Sequence, residues 1–251
     1  EHNASLMALP VGLRVPTPAD CPPSLEPTFF AVSMHSAKYA AKAARLLASC
    51  DKVGVCCASA LVPSHAFDAV EGSREYRLRF ISSKPLFMLR VLESSSLPVA
   101  WLDTDLEFVT YPSLFEPSAW SPPRDALLWN WQANVTWARG RRLKMASGVA
   151  FFNRTDAALL LLRAWAEAMA FPPNRFAPDD QTLDELVNND GWIDRAAFGW
   201  LPAAYLRMAH RHPNIEPVIE HDRGRAPGSN GGGSTSKPQL PPKRDGALGA
   251  D

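Results

Sequence analysis

No uninterrupted apolar run in this chain approaches the ~18 residues needed to cross a bilayer as a helix, so no transmembrane helix is expected. An excess of one charge is missing too: 26 Lys and Arg balance 26 Asp and Glu. A general nucleic-acid binder carries a basic excess, so nucleic acid is not expected as a partner. Cysteine is scarce. Cys21, Cys50, Cys56 and Cys57 are too few for a disulfide scaffold, and with Cys56 and Cys57 adjacent and no Cys-x-x-Cys their spacing fits no zinc site. A link from Cys21 to one of the others in an oxidising compartment and a set of buried free thiols both stay open. No internal repeat is present. What the chain does have is 46% hydrophobic and 21% charged residues over 251 positions, enough for a sizeable core in one large or two small domains. It opens on Glu1 without an initiator Met, as expected of a trimmed chain; whether a signal peptide or anchor preceded it stays open. Sequons at Asn3, Asn134 and Asn153 lean toward a secretory-pathway lumen.

Three regions are expected: a Pro-rich lead-in over 1–27, one globular domain over 28–222, and a Gly-, Ser- and Pro-rich flexible tail over 223–251. Within the domain, Thr28–Met34 reads as a strand, Ala37–Ser49 as a helix capped by Ser36, and Lys52–Ala58 as a second strand. Such a strand–helix–strand unit implies parallel pairing. Tyr76–Phe80 alternates like a short strand or an extended connection. Ser83 is placed to cap the next helix, with Lys84 and Pro85 in its first turn and Met88, Val91 and Leu92 inward. Further strands are expected at 126–131 and 147–152. Thr155 caps a helix to Met169 whose Leu159–Leu162 run is deeply buried. Another helix starts at Pro178–Gln181, and a last strand covers Pro217–Asp222. The architecture is an open α/β sheet, in which ligands bind beyond the carboxyl ends of the strands.

One such end carries two acids. Val99–Val109 begins as a buried strand and then delivers Asp103 and Asp105, which extended backbone would point to one side. Two like charges brought together need a cation between them, and hard oxygen ligands suit Mg²⁺ or Mn²⁺ better than zinc. A divalent ion with open coordination positions predicts a diphosphate-bearing substrate. A helix start at Lys84 also favours anions, although an ammonium is misplaced against the helix dipole unless it has such a partner. Arg139–Lys144 is a basic turn, read mainly as a solvated loop.

Taken in order, Lys84-Pro85, Trp101-Leu102-Asp103-Thr104-Asp105, Ser147-Gly148-Val149-Ala150-Phe151-Phe152, Asp180-Gln181 and His221 resemble the nucleotide-diphospho-sugar transferase family, which includes plant and algal arabinosyl- and xylosyltransferases. The resemblance implies a GT-A-like (Rossmann-like) α/β fold with an open, mixed, mostly parallel sheet flanked by helices. It also implies a UDP-sugar donor, a glycan or glycoprotein acceptor, and Mn²⁺ or Mg²⁺ held by Asp103, Asp105 and His221, with Asp222 as substitute for the last. Ser33, Lys84, Asp103, Thr104, Ser147 and Gly148 would contact the donor. Asp180, with Gln181 and Asp179, would face the reacting carbon, although capping alone accounts for the two Asp residues. Trp129, Asn130, Trp131 and Gln132 are candidates for an acceptor groove or for the core. With the sequons, the resemblance implies the Golgi lumen or another secretory compartment, and a type II ectodomain that meets a membrane only through an anchor outside this sequence.

Two other functions compete. A haloacid-dehalogenase-like phosphohydrolase also places Asp-x-Asp after an apolar strand, and Lys144 with Asp179 and Asp180 would serve it. Against it, two strands precede the motif here, and Glu107 stands where that family has Thr or Val. The other is a non-catalytic carbohydrate-binding GT-A domain.

Overall fold

In the computed structural model Val99–Leu102 is buried on both faces, and the other layers are built on it. The structure describes residues 8–135, 142–171, 174 and 177–221. Asn3, Thr136, Arg139–Arg141, Asp222 and the tail over 223–251 lie outside the described residues.

The chain runs through β1 (Phe30–His35), α1 (Ala40–Val53), β2 (Cys57–Leu61), α2 (Arg74–Ser94), β3 (Val99–Leu102), β4 (Leu106–Phe108) and β5 (Ala126–Asn130). It continues through α3 (Trp131–Asn134), β6 (Met145–Phe152), α4 (Asp156–Ala170), α5 (Asp179–Asn189), α6 (Trp192–Arg195), β7 (Phe198–Leu201) and β8 (Ile219–His221). Six strands form one sheet in the order β2-β1-β3-β6-β5-β7, and β4 and β8 form a separate ribbon. β1 is parallel to both β2 and β3, and β5 to β7, whereas β6 is antiparallel to both neighbours. The sheet is therefore mixed and mostly parallel.

Period-two alternation divides the core in two. Phe30, Val32, Val99, Trp101, Ala150 and Phe152 face one side and pack with apolar residues of α2, α4 and α5. Phe29, Ala31, Ala100, Leu102, Val149 and Phe151 face the other, against α1 and the β4–β8 ribbon. Thr155 caps α4 as expected, accepting from the Ala158 amide at 3.2 Å. Leu183, Leu186 and Val187 form the buried face of α5.

Several boundaries differ from the expectation, each for a local reason. Lys52 and Val53 end α1, because Gly54 takes a left-handed φ of 72° that closes the helix and delays β2 to Cys57. Tyr76–Phe80 is helical, and Ser73, not Ser83, caps α2, accepting from the Tyr76 amide. Ser83 and Pro85 stand inside that helix, where the Ser82 and Ser83 hydroxyls donate to the Leu78 and Phe80 carbonyls. The apolar Leu86–Leu92 stretch, almost wholly buried, carries the helix past a proline that cannot donate to the preceding turn. Of the Leu159–Leu162 run, Leu161 and Leu162 are buried, but helical geometry turns Leu160 out to 51% exposure. Trp129 and Asn130 are core, which removes them from any acceptor groove; Trp131 and Gln132 are half-buried.

All four cysteines pair, as Cys21–Cys56 and Cys50–Cys57, so the free-thiol alternative does not hold. The first ties the lead-in to the core, where Leu9, Leu13 and Leu25 also pack. It closes a 35-residue separation. Losing it in Cys21→Ser/Cys56→Ser is expected to cost about 2–4 kcal/mol, seen as a melting point lowered by about 5–15 °C. An unchanged melting point would contradict this. At the two sequon asparagines among the described residues the amide nitrogen is engaged: Asn134 Nδ2 donates to the Asn130 and Leu201 carbonyls, and Asn153 Nδ2 to that of Arg124. A glycan at either nitrogen would displace those bonds. No described helix is long and apolar enough to cross a membrane.

Candidate active site

β3 ends at Leu102, and the chain turns at once: the Leu106 amide donates back to the Asp103 carbonyl at 3.0 Å. Asp103 and Asp105 are therefore gathered by a turn and not by the same-side geometry of a strand. The Asp103 amide donates to the Gly148 carbonyl at 2.9 Å, continuing the β3–β6 ladder by one bond. A Cβ at position 148 would stand 3.2 Å from Asp103 Oδ2, so the absent side chain there makes room for the carboxylate.

Lys84 is the hub of the site. Its place is the middle of α2, not a helix start, so neither the dipole argument nor a helix N-terminal anion site applies to it. The residue is 4% exposed; its ammonium donates to the Ser147 carbonyl and forms ion pairs with Asp179 Oδ2 at 2.9 Å and Asp103 Oδ1 at 3.5 Å. The ammonium also lies 4.8 Å from the centre of the Trp101 ring, whose indole N–H donates to Asp103 Oδ1 at 2.8 Å. Burial alone would lower the Lys84 pKa, but Asp103 and Asp179 reverse this and raise it. Asp103 is shifted up, by desolvation first, with Asp179 and Asp105 adding to it and Lys84 opposing. Asp103 still keeps 45% of its side chain open to the cleft.

Asp179 opens α5 but caps nothing; its carboxylate serves Lys84. Asp180 Oδ1 accepts from the Gln181 amide at 2.9 Å. Burial raises the Asp180 pKa, and the neighbouring Asp179 adds to the rise. Gln181 is exposed and does not line the cleft. Ser33 lies inside β1, fully buried, with a hydroxyl that finds no hydrogen-bond partner; it does not line the cleft either. Thr104 does.

The cleft has two compartments. One, of about 330 Å³, lies between the end of β1 and α2 and is lined by His35, Tyr39, Tyr76, Thr104 and Asp105 among others. The other, of about 270 Å³, is lined by Lys84, Ser147, Asp179 and Asp180. Arg77, Phe80, Ile81, Trp101 and Asp103 border both. Arg77, Phe80/Ile81 and Lys84 are spaced as one face of a helix. Reading Tyr76–Phe80 as extended hid that face, and with it Tyr76 and Arg77 as site residues.

On the far rim, Asp105 Oδ2 is shared by Lys42 Nζ at 3.3 Å and His221 Nε2 at 3.6 Å. The β4–β8 register sets Leu106 opposite His221, which brings the imidazole beside Asp105. Two carboxylates and an imidazole suit a borderline-hard divalent cation. Among the described residues no group of three or more His, Cys, Asp and Glu is placed to hold a metal ion. A cation at Asp103, Asp105 and His221 would have to take much of its coordination from a ligand's oxygens.

One turn beyond Asp180, Asp184 accepts from the Met145 amide at 2.7 Å, and its pKa is pushed up to about 7, chiefly by burial. A carboxyl whose folded pKa lies above its unfolded value costs stability as pH rises from about 4 to 7. Asp184→Asn keeps the acceptor and removes the charge. It is expected to match the wild type at pH 4 and to exceed it by about 1–3 kcal/mol at pH 8, after allowance for solvent screening. Urea unfolding at the two pH values reads this directly, and equal stability at both would contradict it.

No protein-family model matches the sequence, and no curated protein does. Among solved structures, the chain is similar to a glycosyltransferase involved in glycosylation of the major capsid of the virus PBCV-1, at 13% identity and a TM-score of 0.51, covering 79% of this chain and 96% of that one. Mouse xyloside xylosyltransferase 1 aligns at 11% identity and 0.45, over 79% and 99% of the two chains. Streptococcus pneumoniae glycosyltransferase GlyE aligns at 11% and 0.48, over 78% of this chain and 54% of GlyE. The likeness to the viral enzyme shows the fold: this chain has the GT-A glycosyltransferase architecture.

Proposed function

We propose that this protein transfers a glycosyl group from a UDP-sugar to a hydroxyl acceptor on a glycan or glycoprotein. The observation that carries the reading is the Lys84 hub, which joins Asp103, the first acid of Asp-x-Asp and a residue bordering both compartments, to the start of α5. In this reading the compartment beside His35, Tyr39 and Tyr76 takes the nucleoside, and the one beside Asp179 and Asp180 takes the sugar. The diphosphate then lies over Asp103 and Asp105, whose negative charge requires a cation between acid and phosphate. Asp103, Asp105 and His221 would hold Mn²⁺ or Mg²⁺, which supplies Lewis-acid stabilisation of the leaving diphosphate. Lys84 fixes Asp103 and Asp179 in place and lends positive charge to the floor of the site. Asp180 faces the reacting carbon: in an inverting reaction it takes the acceptor proton, and in a retaining one it shields the attacked face. The two disulfides favour an oxidising compartment such as the Golgi lumen.

The test is a panel of UDP-sugars incubated with Mn²⁺ and no acceptor, with release of UDP and of inorganic phosphate measured separately. UDP release from one or two sugars supports the reading. Release of phosphate alone would favour the phosphohydrolase, and no turnover with intact UDP binding would favour a binding domain.

A further inference from the structure

The rim ligand His221 sits on an element that is weak by itself. β8 is three residues long, and a two-stranded ribbon of that length is at best marginal in water. Its register also sets Glu220 directly opposite Glu107, and like charges in that position push strands apart. Each acid has its own arginine. Glu107 accepts from Arg45 of α1 at 3.1 Å, and Glu220, 9% exposed, pairs with Arg207.

Arg207 does more than neutralise. Its Nε donates to the His212 carbonyl at 3.1 Å and its Nη2 to the Pro213 carbonyl at 3.3 Å, so the guanidinium is fixed before it meets Glu220. Its backbone flanks β8 on the side away from β4: the Arg207 amide donates to Ile219, and the His221 amide donates to Arg207, both at 3.0 Å. Alternation sends Ile219 and His221 to one side of the ribbon and Glu220 to the other. With Ile219 fully buried and Glu220 held by Arg207, the strand cannot rotate, and the imidazole stays beside Asp105.

We infer that Arg207 is a positioning residue for the cation site: by clamping Glu220 it holds His221 in ligating position. This rests on the proposed role of His221. Partners that orient a metal ligand typically carry 10–100-fold in affinity.

The test is titration of Mn²⁺, followed by the resonance signal of the free ion, on wild type, Arg207→Met, His221→Ala and the double variant. Arg207→Met is expected to weaken Mn²⁺ about 10–100-fold and to add less than about threefold once His221 is absent. Adding Glu220→Gln to Arg207→Met removes the repulsion with Glu107 and is expected to restore most of the affinity. If Arg207→Met does not fold, Arg207→Lys keeps the charge, loses the fork, and is expected to weaken Mn²⁺ by about 3–10-fold. Affinity within twofold of wild type in a folded Arg207 variant, or an equal loss in the His221→Ala background, overturns the inference. So does His221→Ala with wild-type affinity beside a defective Asp105→Ala, which leaves the proposed function standing. A wild-type protein that binds neither Mn²⁺ nor UDP overturns both.

Discussion

Lys84→Met is expected to lose about 3–5 kcal/mol of folding stability at neutral pH, because it leaves the buried Asp179 carboxylate without its ammonium. Asp103, nearly half open to the cleft, contributes less to that cost. The deficit is also expected to shrink as pH falls toward about 4 and the orphaned carboxyl groups become neutral. A cavity or packing defect would not depend on pH in this way. Urea unfolding of the variant at pH 4 and pH 7.5 separates the two, and a pH-independent loss would contradict the account of Lys84 as a charge hub. Glycosyl transfer should fall with it, since Asp103 and Asp179 lose their common anchor.

How much of this hub could be read from the sequence depends on the range of the interaction. Thr155, Pro178 and the apolar faces of α4 and α5 are local signals, and the helices formed where those signals stood. The Lys84 helix was legible in its second half only. Ser83 and Pro85 imitate a helix start so well that the cap at Ser73, and the cleft-lining face running from Arg77 to Lys84, went unread. Gly54 was in plain view as a helix stop, but the β-branched and apolar residues around it also fit a strand. Nothing local reports that β6 runs against its neighbours, that Lys84 meets Asp179, or that Glu220 lands opposite Glu107. These depend on pairing between residues far apart in the chain. Lys42 and Arg45 of α1 pair with Asp105 and Glu107, more than 60 positions away in the chain. The Asp103–Asp105 pair was visible from the start; the turn that gathers it was not.

Asp180→Asn is expected to lower glycosyl transfer by about 10²–10⁴-fold while leaving UDP affinity and melting temperature near wild type. The substitution is chosen because Asn keeps the oxygen that accepts from the Gln181 amide, so the start of α5 is undisturbed. Only the carboxylate in the compartment proposed for the sugar is lost. Burial holds the Asp180 pKa above the ordinary carboxylate range. The acidic limb of the wild-type pH–rate profile should therefore lie above that range and vanish in the variant. Transfer at the wild-type rate would return Asp180 to a capping role.

Central to the proposed function is that Asp103 and Asp105 present a cation to a nucleoside diphosphate. Calorimetric titration of UDP with and without Mn²⁺, repeated on Asp105→Ala, tests it most directly. Binding that requires the ion and disappears in the variant is the result expected from the shared position of Asp105 between His221 and Lys42. UDP binding that is indifferent to the metal and to Asp105, or no UDP binding in any condition, would contradict it.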